Sequence, residues 1–356
     1  MRWMTLLGRS FVICVCAVGL FAGCSDDAAT ESADVDVPDW VSEDNAPGAA
    51  DAPDSQLALR LKPGERFPLR KVIEREVVQT PYGAAPQTHR LRIELTLGMT
   101  VQEVRDGRTK FQVRYDRVRY NHQMPDEVIE YDSANAPQQL PLTIQAWHAM
   151  VGDGFNFWIG KDNQIAEVEG FREFIDRCLS VVPEEHRQEV LLSIESSSGE
   201  NGVSDFVDNA IGLLPYGEEK QPGETWERDR HIGRPVPMHL HSVYTLKELT
   251  ADKAVVRIDG EITPSTTIVE TRNTDVPRVR MTVRQGNSWG TCTLYRSTGL
   301  PQHSQVEHEV LMTVHMSGGE TFDQRVRGVT TLEAFPAQST GQPMVLGADP
   351  NDAAAR

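Results

Sequence analysis

The chain has 356 residues, 39% of them hydrophobic and 7% aromatic, with a formal net charge of −17. That much apolar material supports a sizeable core, and the length fits one large domain or two ordinary ones. The excess of carboxylates repels phosphate backbones and anionic headgroups, which excludes a nucleic-acid-binding role.

The first element is an apolar run from Phe11 to Gly23, preceded by Arg2 and Arg9. At about thirteen residues it is shorter than the roughly twenty a spanning helix needs, so it reads as a secretory signal with a positive n-region. It ends Leu20-Phe21-Ala22-Gly23-Cys24. Small residues directly before a cysteine resemble the lipobox of bacterial lipoproteins, with a departure at Phe21, where that family usually has Leu. The resemblance implies a signal peptide over residues 1–23, cleavage before Cys24, and acylation of its sulfur and new amine. Two or three acyl chains, at about 0.8 kcal/mol per buried CH₂, hold a protein stably on a bilayer. Ser25 in the next position resembles a signal for sorting to an outer rather than an inner membrane. An ordinary cleaved signal with an incidental Cys24 is the competing reading.

Residues 24–56 follow as a linker. Between Ser25 and Gln56 there are ten acidic residues and no Lys or Arg. Such a segment has too little apolar surface to offset its ordering entropy, so disorder is expected, with a reach of roughly 30 Å. The tail, residues 337–356, is rich in Gly, Pro and Ala and reads as loose.

The body carries an internal echo. Pro63-Gly64-Glu65, one residue and Phe67 return as Pro222-Gly223-Glu224, one residue and Trp226. Tyr131-x-Ser133 with Pro137 returns as Tyr295-x-Ser297 with Pro301, 68 and 73 residues after the respective first prolines. Two short motifs in the same order and at matched distance predict a duplication, with β unit 1 over 57–170 and β unit 2 over 215–336.

Strand periodicity dominates both units. Leu91, Ile93, Leu95, Leu97, Met99 and Val101 alternate with polar residues, the pattern of an antiparallel sheet with one wet face. Asp106-Gly107 reads as a turn, and the apolar phase then slips between Tyr115 and Val118, which reads as a bulge. Met238, Leu240, Tyr244 and Leu246, then Val256 and Ile258, then Val279, Met281 and Val283 continue the style. Between the units, residues 171–214 read as the one helical segment. Phe171, Phe174, Ile175, Cys178, Leu179 and Val182 form a single stripe. A second helix starts after Pro183 with Glu184 and Glu185, and a third runs from Ser204 to Pro215. The expected fold is α+β and mainly antiparallel β: two related curved sheet units with the helical segment packed on their concave side.

That element order is similar to lipoprotein-carrier and lipoprotein-receptor folds, half-open β barrels plugged by helices. The layout of lipobox, acidic linker and Leu61-Lys62-Pro63-Gly64 opening a β-rich body also resembles a family of uncharacterised bacterial lipoproteins. Neither resemblance brings catalytic residues or a cofactor.

Candidate chemistry is sparse. Gly286-Asn287-Ser288-Trp289-Gly290 satisfies the G-x-S-x-G pattern of a hydrolase nucleophile elbow, but that elbow needs a strand before it and a helix after it. Strand signals on both sides make it read as a hairpin turn. His239 and His241 share one strand face and are the candidates for a metal pair, weak because catalytic zinc wants a third protein ligand and solvated strand residues explain them better. Cys178 and Cys292 are left open between a disulfide, which an exported compartment permits, and two buried thiols. Phe155 and Phe157 read as core, with Trp158 on the opposite face. The expected function is a non-catalytic, cofactor-free envelope lipoprotein, anchored to a membrane by its acyl chains. It would bind an apolar ligand such as a lipid, or a partner protein, through its curved sheet. The alternative is an envelope or extracellular hydrolase.

Overall fold

A computed structural model describes residues 56–80, 85–198, 207, 211–215, 217–232, 236–265, 280–316 and 319–337. The signal peptide, Cys24 and nearly all of the linker and tail lie outside the described residues, as does most of the third expected helix.

Twelve strands form one antiparallel sheet. The first half supplies β1 (Arg66–Thr80), β2 (Gln87–Arg105), β3 (Arg108–Gln123), β4 (Val128–Asp132), β5 (Gly154–Ile159) and β6 (Ile165–Glu169). The second half supplies β7 (Thr225–Ile232), β8 (Met238–Leu249), β9 (Lys253–Pro264), β10 (Arg280–Tyr295), β11 (Pro301–His315) and β12 (Thr321–Ala334). Its order is β6-β5-β3-β2-β1-β12-β11-β10-β9-β8-β7, with β4 on the flank of β3. Two meanders are thus joined edge to edge, β1 pairing with β12 from Leu69↔Ala334 to Thr80↔Asp323. The sheet curves until its ends approach: Arg228 of β7 donates from Nη2 to the carbonyls of Asp162, in the β5–β6 turn (3.0 Å), and Leu214 (2.8 Å). We call the end where β1 begins the base and the end where it finishes, at Thr80, the rim.

Local chemistry explains the strands. The alternating apolar residues of β2 from Leu91 to Val101 are all buried, while Arg90 and Arg92 face out. Asp106 and Gly107 both have positive φ, 54° and 73°. A two-residue hairpin of that kind fits the right-handed twist of its strands. The phase slip in β3 is a bulge at Asp116, where Thr96 pairs with Arg117 but Leu97 with Tyr115.

The two Pro-Gly-Glu segments adopt one turn. Gly64 and Gly223 have φ of 87° and 98°. Each glutamate folds back to accept from the backbone N–H three residues earlier, Glu65 from Lys62 (2.8 Å) and Glu224 from Gln221 (2.7 Å). Each glycine N–H reaches the neighbouring strand, at Val101 O (2.8 Å) and Leu246 O (2.7 Å). The Tyr-x-Ser motifs, in contrast, occupy different places. Tyr295 ends β10 at the base, in the turn to β11. Tyr131 pairs with Tyr120 in the rim half of β3, and the chain leaves the sheet after β4 and returns as β5 beside Thr109–Arg114.

That excursion carries a helix the sequence reading lacks, α1 (Leu142–Ala149). Its apolar residues are spread around the axis, so no stripe marks it, yet Ile144, Ala146 and Trp147 are fully buried. The stripe from Phe171 forms α2 (Phe171–Ser180), and α3 (Glu184–Ser198) follows Pro183. One core joins both halves of the sheet, the N-terminal Leu57, Leu59 and Leu61, and the helices through Trp147, Phe174, Val190 and Ile194.

Candidate functional site

The helices cover only part of the inner face. Toward the rim lies a second apolar cluster: Val236, Ile262, Val283, Val310 and Met312, with Met238, Leu240, Met281 and Val326 packed against it. No described helical residue belongs to it. Between the two clusters runs a row of small residues in register, Ser242, Gly260 and Ser288. A Cβ on Gly260 would stand 3.2 Å from Leu240 Cδ1 and 3.3 Å from the Ser288 Cβ, so the glycine here lets neighbouring side chains close over the strand.

Beside the apolar wall, on β12, β1, β2 and β3, the same face becomes polar. Gln79 donates to Gln324 (Nε2 to Oε1, 3.2 Å), and both side chains are buried. His89 and His122 are buried with ring centroids 6.3 Å apart. His122 Nδ1 lies 3.4 Å from the Tyr120 hydroxyl, whereas His122 Nε2 and both nitrogens of His89 have no hydrogen-bond partner. Burial holds both imidazoles below their ordinary pKa, and for His122 the neighbouring His89 adds to it. Both therefore stay neutral, each with one donor and one acceptor. Unsatisfied polar atoms of this kind are costly inside a protein unless something fills them. The sequence signal for these residues is phase: His89 alternates with Leu91 and Ile93, and His122 with Val118 and Tyr120.

The residues singled out from sequence fall elsewhere. Gly286–Gly290 is neither an elbow nor the expected hairpin turn; it lies inside β10, paired on both sides. Its glycines face backbone: a Cβ at Gly286 would lie 2.7 Å from Glu309 O, and one at Gly290 2.3 Å from Gln305 O. These glycines serve close strand approach, and Ser288 is buried. His239 and His241 lie on the outer face and converge on one carboxylate oxygen, Asp229 Oδ1, at 3.1 and 3.0 Å. The Asp229 hydrogen bond raises the His241 pKa, with smaller contributions from Asp229, Glu227 and Glu261 charges. The His231 ring lies 4.7 Å from that of His239, tilted by 34°, but among the described residues no three His, Cys, Asp or Glu side chains are placed to hold a metal. Cys178 and Cys292 are both free and buried, so the disulfide left open is not formed. Each thiol is pushed up to about 12 by burial and stays protonated. Phe155 and Phe157 enter the core, Phe157 stacked on Phe111 at 5.2 Å. Trp158, on the other face, donates to Glu169 (2.8 Å) beneath Arg105, Arg108 and Lys110.

Against known families, one profile matches over residues 106–301, from the β2–β3 turn to the start of β11 and more than half of the chain. The chain belongs to the family of unknown function DUF6263. The DUF6263 region crosses from one half of the sheet into the other and includes α1, α2 and α3. Curated proteins give no match. Among solved structures, one described as lipid-protein interactions in lipovitellin aligns with 81% of this chain at 10% identity and a TM-score of 0.41. The chain spans about a quarter, 26%, of that lipovitellin. An outer membrane channel from Pseudomonas putida F1 aligns over 78% of this chain and 97% of its own at 7% identity, with a TM-score of 0.21. A LolA superfamily protein from Nitrosomonas europaea aligns over 84% of this chain and 96% of its own at 10% identity, with a TM-score of 0.12. Scores this low carry no information about function.

Proposed function

We propose that this chain is a non-catalytic envelope lipoprotein, anchored through Cys24, that holds an apolar ligand on the rim half of its inner face. The carrying observation is the second apolar cluster, a buried wall of Val and Met on which no described helical residue packs. Methionine side chains adapt to ligands of varied shape, which suits Met238, Met281 and Met312 to this use. A hydrolase reading loses its nucleophile once Ser288 lies within a paired strand.

Native mass spectrometry of the purified full chain tests the ligand. Co-purifying lipid, lost when Val310 is changed to Asp in a variant that still folds, is the expected result. An empty inner face that takes up no lipid from vesicles would refute it. The anchor is tested separately: globomycin should make an unprocessed precursor accumulate, and processing that continues unchanged would remove Cys24 from the account.

A further inference from the structure

Arg75 stands on the inner face, because it alternates along β1 between buried Ile73 and Val77. Across the ladders it is flanked by Leu91 on β2 and Gly328 on β12. The next positions in that row are His122 on β3 and His308 on β11, each about 10 Å from Arg75 at two strand spacings. A Cβ on Gly328 would lie 2.3 Å from the His308 ring, so that ring extends over Gly328, the single residue between it and Arg75. His89, with its unpartnered nitrogens, pairs with Val77 one step nearer the rim.

The outward neighbours of Arg75 are matched, Glu74 with Arg92 and Glu76 with Arg90. Among the described residues the Arg75 side chain has no hydrogen-bond or ion-pair partner. Among the described residues no Asp or Glu shares its face in the rows through Arg75, Val77 and Gln79. Every carboxylate of β1, β11 and β12 near them, including Glu74, Glu76, Glu307, Glu309 and Asp323, alternates to the outside. In a chain with net charge −17, a guanidinium with no carboxylate beside it among the described residues is a charge vacancy.

We propose that Arg75, His89 and His122 form an anion subsite, and that the ligand is an acyl chain bearing an anionic oxygen headgroup, carboxylate or phosphate. The headgroup accepts a forked pair of hydrogen bonds from Arg75, the geometry a guanidinium offers such groups. The imidazoles donate the remaining bonds. The acyl chain then passes over Val326, which pairs with Val77 on one side and Val310 on the other, onto the Met312 wall. This inference rests on the apolar-ligand reading and specifies its chemistry.

The test is titration of the purified full chain at pH 8, below micelle concentrations, with palmitate, 1-palmitoyl lysophosphatidic acid and hexadecanol. One or both anions should bind about tenfold or more tightly than hexadecanol, the scale of one charge-assisted pair. Whichever anion leads identifies the headgroup as carboxylate or phosphate. Arg75→Gln should erase the preference while leaving hexadecanol binding unchanged, and Arg75→Lys should keep part of it. Should Arg75→Gln fail to fold, His122→Gln should still reduce the preference severalfold at an unchanged melting temperature. Equal affinity for all three ligands, or a preference that survives Arg75→Gln, would overturn the subsite and leave the apolar face standing. No binding of any of the three to the wild type would remove both.

Discussion

Replacing Asp132 with asparagine tests how the chain leaves the sheet to make α1. Asp132 accepts a forked pair from Arg117, at 2.9 Å to Nε and 2.5 Å to Nη2, with Arg119 3.4 Å away, and it caps the following turn through Ala134 N–H (3.0 Å). The Arg117 hydrogen bond is the largest of the effects that hold its carboxyl at about 2, against an ordinary 3.8. At about 1.4 kcal/mol per pH unit, that difference is worth about 2.5 kcal/mol before screening. The side chain is 27% exposed, so solvent trims the figure to about 1–2 kcal/mol. Because the folded-state value is the lower one, the contribution is complete above about pH 5, falls to about half by pH 3, and is gone below about 2. Urea unfolding of wild type and Asp132→Asn, followed by tryptophan fluorescence at pH 7 and pH 3, reads both numbers. A gap near zero at pH 7, or one that does not shrink at pH 3, would refute this account of the corner.

Three further outcomes follow from packing. Trp147→Ala should cost about 3–5 kcal/mol by chemical denaturation, whereas Trp147→Phe should cost far less, since it removes a buried indole N–H that has no partner. Gly328→Ala should destabilise by about 1 kcal/mol or more, because its Cβ meets the His308 ring, and adding His308→Ala should restore most of the loss in a double-mutant cycle. Intact-mass measurement of the native protein with an alkylating reagent should show Cys178 and Cys292 unmodified, both reacting only after unfolding and equally with or without reductant.

Much of the fold was legible because its signals are local. The six-residue alternation in β2, the Asp106-Gly107 turn and the slip at Asp116 each depend on neighbours a few positions away, as does the stripe that became α2. The Pro-Gly-Glu turns were readable for the same reason, since Glu65 and Glu224 bond three residues back. α1 was not, because a helix buried on most sides has no stripe. The G-x-S-x-G segment failed differently. Glycines usually mark turns, but here Gly286 and Gly290 answer to the backbone of β11, and only strand pairing shows that. The inner-face site was half legible: His89 and His122 sit in phase with core residues, but the lack of carboxylates around Arg75 among the described residues depends on β1 pairing with β12, more than two hundred residues apart.

The outer face bears on whether these strands could sit in a membrane. Among the described residues no helix is long and apolar enough to cross one, which leaves the strands to consider. Their outward positions carry an ion-pair lattice: Arg70 with Glu94 (3.2 Å), Arg90 with Glu76 (2.9 Å), Arg92 with Glu74, and Arg327 with Glu307 (2.6 Å). Outward arginines facing lipid near the bilayer midplane would cost about 2–4 kcal/mol each, so these strands are built to face water. Attachment through the N-terminus carries no such penalty. The chain enters the fold at the base, where Arg60 N–H donates to Thr298 O (3.0 Å) and its guanidinium to Arg296 O (3.1 Å), fixing Leu57, Leu59 and Leu61 in the core. The described chain therefore begins at the end opposite Gln79, Gln324 and Met312. The anchor proposed at Cys24 and the ligand site proposed at the rim would load opposite ends of the sheet.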